Sequence, residues 1–213
     1  MSQSFGFIAQ AFVTLFVVLD PIGMAPIFAA ITRGETEEHR HHMAMRGTFV
    51  AGIILVLFAI GGEAFLNVLG IGMPAFRIAG GILLFLVALD MLFAHDSALR
   101  RTTQNEEEEA ERRRNVSIFP LAFPLIAGPG AMTSVVLLMG HAHGKPVLQG
   151  LVLAVLVVVL AVLLGALLLT TRMMRFLGVT GVNVVTRVLG LVLAALAVQF
   201  VIDGAREAFS LGG

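Results

Sequence analysis

Long apolar stretches are the feature that most constrains this 213-residue chain. Six can be marked, at residues 5–31, 47–69, 74–93, 116–139, 147–171 and 182–209. Each is long enough for a helix that crosses a bilayer, since about 20 residues suffice. With 58% hydrophobic and 13% charged residues, the composition is also that of an integral membrane protein. The sequence therefore predicts an all-α integral membrane protein with six transmembrane helices.

The remaining composition excludes several classes of function. The net charge is zero and there is no Cys, so neither nucleic-acid binding nor thiolate chemistry is indicated. The histidines at 39, 41 and 42 fall in the first connection and those at 141 and 143 in the fourth, on opposite sides of the predicted membrane. We therefore expect no metal site and no cofactor. No nucleophile elbow or phosphate-binding loop is present, so we predict that the protein is not an enzyme.

The basic residues predict the orientation. Connections 1, 3 and 5 contain eleven, whereas the termini and connections 2 and 4 contain three, namely Arg77, Lys145 and Arg206. By the positive-inside rule, connections 1, 3 and 5 are cytoplasmic and both termini lie outside the cytoplasm. No basic residue precedes Arg33, so we expect the first stretch to be retained rather than cleaved as a signal peptide.

The two halves of the chain resemble each other. FRIAGGILLFLVALD, from Phe76, matches TRVLGLVLAALAVQF, from Thr186, so that Arg77 aligns with Arg187. Residues 1–95 and 116–213 are predicted to be two three-helix repeats. Because three helices end on the opposite side of the membrane, the second repeat would be inverted. The charged cytoplasmic linker at 96–115 fits a solvated helix or a flexible connection, and a regulatory binding role is the alternative.

Helix-breaking residues interrupt the first stretch of each repeat. The first break is DPIGMAP, from Asp20, and the second is PLIAGPG, from Pro124. Asp favours the N-cap of a helix and Pro favours its first position. We expect both helices to stop and restart near mid-depth, with the positive ends of the restarted halves pointing at one central layer. A kink that only packs helices is the alternative reading, but a matched pair favours a transporter site.

The two breaks differ in charge. Asp20 supplies a carboxylate for a proton, a cation or a substrate ammonium, whereas the backbone N–H groups around Gly130 could bind an anionic group. Such a pair of poles would suit a zwitterion. The predicted substrate- or ion-binding residues are Asp20, Pro21, Gly23, Pro26, Gly128, Pro129, Gly130, Ala131 and Thr133. At Thr133 and the adjacent Ser134, each hydroxyl could contact a ligand or bond to its own helix.

Further polar residues within the apolar stretches are predicted to support this site. They are Arg77, Asp90, Arg187, Gln199 and Glu63. The two arginines could extend to the headgroups or serve paired structural or gating roles. Glu63 lies one turn from Asn67, and Gln199 one turn from Asp203, so each pair could form a wet helix face.

Four motifs in order are similar to those of the MarC family of bacterial inner-membrane proteins. They are DPIGMAPIF, RIAGGILLFLVALDMLF, PLAFPLIAGPGAMTS and RVLGLVLAALAVQFVIDG, which together extend over essentially the whole chain. The family is grouped with lysine-exporter-type transporters, and some members are described as neutral amino-acid transporters. The resemblance implies six transmembrane helices, a location in the bacterial inner membrane with both termini periplasmic, and small-solute transport. One departure is Met24, where the family usually has Asn; specificity would differ if that side chain contacts substrate.

Three functions remain open from the sequence. The favoured one is transport of small solutes, with neutral amino acids as the preferred class and proton coupling through Asp20 as an option. The second is an intramembrane enzyme that handles lipids or headgroups, and the third is a structural membrane protein without flux. The expected partners are a small-molecule substrate and the lipid bilayer, not nucleic acid; a homo-oligomer is compatible with the sequence.

Overall fold

The computed structural model describes residues 2–93 and 117–210, and this part of the chain is all-helical. Its helices are α1 Ser2–Leu19, α2 Met24–Ile31, α3 Glu37–Val68, α4 Met73–Phe93, the π-helical α5 Ser117–Ile126, α6 Pro129–His141, α7 Pro146–Leu168 and α8 Thr170–Ser210. The all-α prediction is confirmed for these residues. The predicted linker at 96–115 lies outside them.

Five stretches of the described chain are long and apolar enough to cross a membrane. They are Gly6–Ile31, Glu37–Val68, Met73–Phe93, Pro146–Leu168 and Thr180–Phe209. The other predicted span, 116–139, is divided between α5 and α6, and neither helix reaches 18 residues. The structure therefore shows a multi-pass helical protein with five candidate spans, and the sixth span stays a prediction.

Helix α3 begins ten residues before the apolar stretch that marks it in the sequence. Thr36 caps it, because the Thr36 hydroxyl accepts a hydrogen bond from the His39 N–H at 3.3 Å. Glu37 and Glu38 occupy the first turn, where negative charge is favourable at the positive end of the helix. The prediction of a first connection of about fifteen residues was therefore wrong: hydropathy marks the apolar part of a helix, and polar helix-forming residues extend it into water.

The fifth connection is also mostly helical. Helix α8 begins at Thr170 and crosses the predicted connection at 172–181, with one non-helical residue, Gly178. Its φ of 62° lies in the left-handed region that glycine adopts without steric cost. The result is a kink between a short polar helix and the long apolar part of α8.

The interrupted segments form the centre of the bundle. In an 18-residue apolar window of the span made of α1 and α2, 67% of the residues are buried, against 22 to 33% in such windows of the other four spans. Helix α6 is similarly enclosed, with Thr133 to Met139 all buried, and it contacts α1, α3, α4 and α7. The large exposed apolar side chains lie mainly on α3, α4, α7 and α8, where they suit contact with lipid.

The bundle has two distinguishable ends. At the end we call the loop-1 end, Phe28 of α2, Glu37 of α3 and Leu168 of α7 line one cavity. At the opposite, loop-2 end, the Phe7 ring of α1 stacks on the His141 ring of α6, with centroids 5.2 Å apart. The His143 imidazole also lies there, with its Nδ1 2.9 Å from a carboxylate oxygen of Glu63.

Helices α4 and α8 pack along a seam of small residues. A Cβ added at Gly81 would lie 2.7 Å from the carbonyl oxygen of Ala197, and one at Gly204 would lie 2.9 Å from that of Pro74. Near the other end of the seam, a Cβ at Gly190 would lie 2.8 Å from the Cβ of Met91. The order of these contacts shows that the two helices run antiparallel. Small residues permit such close backbone approach between membrane helices.

This seam should tolerate even one methyl group poorly. We expect Gly81→Ala to lower the free energy of unfolding by about 1–3 kcal/mol, because the added Cβ meets backbone atoms that cannot move aside alone. The matched control is Gly165→Ala in α7, where a Cβ meets nothing within 4 Å. That change should be neutral or stabilising by up to about 1 kcal/mol through helix propensity. Equilibrium unfolding in mixed micelles measures both; equal effects would contradict the seam.

Candidate functional site

The first break is organised by Asp20. Helix α1 ends at Leu19, and Asp20 has a φ of 43°, a left-handed conformation that Asp and Asn tolerate better than most residues. The Gly23 N–H donates to Asp20 Oδ1 at 3.0 Å, and the Met24 N–H donates to the Asp20 carbonyl oxygen at 2.9 Å. Asp20 therefore closes the turn that leads into α2, and its side chain caps the N–H of Gly23, the residue just before that helix. The regular helix begins at Met24, so Pro21 lies in the turn and not at the first helical position.

Gly23 brings a third element to this turn. A Cβ on Gly23 would overlap the Asp20 carboxylate and would stand 3.0 Å from Thr186 Oγ1 of α8. The carboxylate and the Thr186 hydroxyl therefore lie beside the same backbone position. Asp20 is fully buried, and Thr186 Oγ1 is enclosed without a hydrogen-bond partner among the described residues.

The second break exposes backbone rather than a side chain. Gly128 is extended, with φ −75° and ψ 171°, and Pro129 begins α6, as the Gly-Pro pair predicts. The Met132 N–H donates to the Gly128 carbonyl oxygen at 3.0 Å. The N–H groups of Gly130 and Ala131 have no acceptor within their own helix, because the first turn of any helix lacks one. No side chain caps this helix in the described structure.

The two breaks lie at the same level. Phe7 of α1 stacks on His141 of α6, and a Cβ at Gly130 of α6 would lie 3.7 Å from Val18 Cγ1 of α1. The two contacts are eleven residues apart on each helix and follow opposite chain directions, so α1 and α6 are antiparallel. Asp20 follows Val18 by two residues, and Gly128 precedes Gly130 by two. This register places Asp20 and the amino-terminal end of α6 at the same level of the bundle.

The same register brings two buried hydroxyls to one level. Thr14 is seven residues from Phe7, and Ser134 is seven residues from His141. Both side chains are fully buried, and neither hydroxyl has a hydrogen-bond partner within residues 2–93 and 117–210. An unmet buried hydroxyl costs about 1–3 kcal/mol, so such groups in native structures have a partner, which can be an ordered water or a bound polar solute. Each hydroxyl can donate to, or accept from, a polar solute.

Of the predicted binding residues, most belong to these two turns and the helices that follow them. Pro26 is half-buried in α2, and Ala131 is buried in α6. Thr133 is buried as well, but its methyl group packs on α4, where a Cβ at Gly80 would overlap Thr133 Cγ2. Ser134 is thus better placed than Thr133 for a role at the α1–α6 interface.

The predicted supporting residues lie elsewhere. Arg77 Nη1 donates to Glu207 Oε2 at 2.7 Å and Glu63 contacts His143, both at the loop-2 end. Gln199 Nε2 donates to Asp203 Oδ1 at 2.8 Å, on an exposed face of α8. Arg187 is exposed and Asp90 is half-buried in α4. Arg77 and Arg187, aligned in sequence, therefore have different environments.

Sequence reasoning missed Thr14 and Thr186. A hydroxyl six residues before Asp20 gives no signal in an apolar run, because Thr is common in membrane helices. Thr186 adjoins Arg187, whose charge is the stronger signal in the sequence. Only the packing of α8 on α2 shows that the hydroxyl, not the guanidinium, lies beside the break.

These features define a class: a multi-pass helical membrane protein whose two interrupted segments meet in its interior. Comparison with known proteins gives the family. The model of MarC family integral membrane proteins matches residues 5–209, so the chain belongs to the MarC family.

Curated relatives extend over the same length. The chain is 34% identical to a UPF0056 membrane protein of Aquifex aeolicus, over 96% of this chain and 95% of the relative. It is 35% identical to one of Archaeoglobus fulgidus, over 94% and 93%. It is 33% identical to the UPF0056 membrane protein YhcE of Escherichia coli, over 93% and 91%. No solved structure matches the chain.

Three substitutions at Asp20 separate its two roles in the turn. Asp20→Asn keeps both the acceptor and the tolerance for positive φ, so we expect unfolding free energy within about 1 kcal/mol of wild type. Asp20→Ala should lose roughly 1–4 kcal/mol, from the lost cap and the left-handed conformation. Asp20→Gly keeps the conformation but not the cap and should fall between them. Thermal unfolding of the purified protein ranks the three, and an Ala variant as stable as the Asn variant would contradict this role.

Proposed function

We propose that the protein transports small zwitterionic solutes, with neutral amino acids as the class that fits best. The observation that carries this proposal is the common level of the two breaks in the most buried part of the bundle. One break contributes a buried carboxylate, and the other contributes backbone N–H groups at the start of α6. Interrupted helices whose ends meet near mid-membrane are the usual construction of a solute site in secondary transporters.

The chemistry of the two breaks favours an amino acid. A substrate carboxylate would accept hydrogen bonds from the Gly130 and Ala131 N–H groups, where the helix dipole also favours negative charge. A substrate ammonium would be attracted by the negative charge of Asp20. Thr14 and Ser134 each lie six residues, or about 9 Å of helix, from their break, and would supply neutral hydrogen bonds to the solute as it approaches the two poles from the loop-2 end. This arrangement disfavours a solute with net charge, which would leave one pole uncompensated.

Proton coupling would use the same carboxylate. A buried Asp in a membrane segment is expensive to keep charged, and such residues mark ion and proton pathways. Protonation of Asp20 would remove the charge that attracts the ammonium while leaving an acceptor for the Gly23 N–H. Solute affinity and proton occupancy would then be linked through one residue.

The proposed architecture is six spans in two inverted three-helix repeats. The antiparallel packing of α4 on α8, the last helices of the two halves, supports this arrangement. Inverted repeats allow the site to open to each side in turn by rocking one part of the bundle against another. The loop-1 end carries Arg33, Arg40, Arg46, Arg172 and Arg175, so we assign it to the cytoplasm, with both termini periplasmic in a bacterial inner membrane.

Flux through proteoliposomes tests this function. Wild-type protein should exchange labelled alanine, serine or glycine across the bilayer. Asp20→Asn should reduce that flux at least tenfold, because the charge that holds the ammonium is gone while the cap remains. The matched control is Asp203→Asn on α8, outside the breaks, which should keep more than half of the flux.

Other outcomes of this experiment would support a different function. Flux that Asp20→Asn leaves unchanged in a folded protein would contradict the proposed site. Absence of any solute flux, together with chemical change of a supplied phospholipid, would favour an intramembrane enzyme that handles headgroups. Absence of both would favour a structural role.

Removing the buried hydroxyls tests the site, because we expect the free energy of unfolding to stay the same or rise while transport becomes weaker. Ser134→Ala and Thr14→Val each remove a buried hydroxyl without a described partner, so stability should be unchanged or rise by up to about 1 kcal/mol. The KM for labelled serine should rise about three- to tenfold in each variant, since one hydrogen bond is worth about 0.5–1.5 kcal/mol. Unchanged KM in both variants would exclude these hydroxyls from the site.

The control for this pair is Thr170→Val. The Thr170 hydroxyl already donates to the Leu167 carbonyl oxygen at 2.7 Å, at the loop-1 end of α7. Its removal should lower stability slightly and leave KM unchanged.

A further inference from the structure

A basic cavity of about 420 Å³ lies at the loop-1 end of the bundle, apart from the two breaks. It is enclosed by the end of α2, the start of α3, the end of α7 and the start of α8. Its polar lining comprises Arg40, Arg172, Arg175, His41, Glu37 and Thr171. Phe28 lies eight residues after Asp20, in the second half of α2. The volume is within the range of about 300–1,000 Å³ that small-ligand pockets occupy.

Arg40 packs on an aromatic ring at this cavity. It is half-buried, and its guanidinium carbon stands 6.0 Å from the centroid of the buried Phe28 ring. Its Nε is enclosed and has no hydrogen-bond partner among the described residues. Because Nε is enclosed, a ligand in the cavity would be bound by the Nη groups of this guanidinium.

Among the described residues, arginines outnumber carboxylates around the cavity. Arg172 and Arg175 are three residues apart on α8, so they share one face of that helix. Three arginines line the cavity, but only one carboxylate of the described structure does, that of Glu37. Within the described chain, Glu37 forms no ion pair with any of these arginines. Cationic groups that converge in a partly enclosed space repel one another, so an anion there is stabilising.

We propose that this cavity binds an anionic phosphate group, supplied by a phospholipid headgroup or by soluble phosphate. Guanidinium groups bind phosphate oxygens with paired, charge-assisted hydrogen bonds. Leu168 and Leu169 are exposed at the cavity rim, so an acyl chain could follow the outside of the bundle while the headgroup enters. Basic pockets between membrane helices at a cytoplasmic surface bind anionic headgroups in this way. The proposal does not depend on solute transport.

Lipid retention on the purified full-length protein tests the proposal. Native mass spectrometry would count phosphatidylglycerol or phosphatidylcholine molecules bound in matched titrations, at low and at high salt. We expect preferential binding of phosphatidylglycerol, weakened about fivefold by each of Arg40→Gln, Arg172→Gln and Arg175→Gln. The control is Arg33→Gln, an exposed arginine at the same end that does not line the cavity, which should change affinity less than twofold.

Salt and a second probe identify the source of the phosphate. A headgroup in the cavity should remain bound at high salt, whereas attraction to exposed charges is screened. Inorganic phosphate is then titrated by calorimetry into protein saturated with phosphatidylcholine. Binding of phosphatidylglycerol alone supports a lipid site, and binding of inorganic phosphate as well supports a site open to soluble phosphate. Equal effects of Arg33→Gln and the three cavity variants, or no preference for either anion over phosphatidylcholine, would overturn the proposal.

Discussion

Backbone hydrogen bonding in a membrane is the constraint on which the arrangement of this bundle depends. In hydrocarbon, an N–H or carbonyl group without a partner costs several kcal/mol, so interrupted helices are tolerated only where protein or water surrounds them. The chain interrupts two segments, and those segments are the most enclosed parts of the bundle. Helices α3, α4 and α7 and the part of α8 after its kink carry most of the large exposed apolar side chains. The positions of the breaks thus determine which helices lie at the centre of the bundle.

A second consequence concerns how the outer helices pack. Membrane helices gain little from hydrophobic burial against each other, because lipid is equally apolar, so close contact depends on small residues. The seam between α4 and α8 meets this requirement with Gly81, Gly190 and Gly204. Such a seam holds two helices together without bulky side chains interlocked between them. It is therefore compatible with sliding or rocking, which a transporter with a central site requires.

Features that depend on neighbouring residues in the chain could be predicted from the sequence, whereas features that depend on how the helices pack could not. Asp20 and the Gly128–Pro129 pair predicted the breaks, because capping and the missing proline N–H depend only on neighbouring residues. The start of α3 was misjudged, since hydropathy does not detect a helix that continues into water. Thr14 and Thr186 could not have been singled out, because their positions depend on the register of α1 on α6 and the contact of α8 with α2. The Arg77–Glu207 ion pair likewise joins residues 130 positions apart.

Helix α2 joins the two proposed sites physically. It begins beside the Asp20 turn and, eight residues long, reaches the basic cavity through the buried Phe28. A helix this short behaves as one rigid piece, so a shift that opens the turn must also move Phe28 and the Arg40 guanidinium that packs on it. Suppose that the protein conformation that binds the anion best and the one that binds the solute best differ in the position of α2. Binding of either ligand would then change the affinity of the protein for the other. Linkage requires that influence to be equal in both directions: an anion that strengthens solute binding must itself be held more tightly when solute is present.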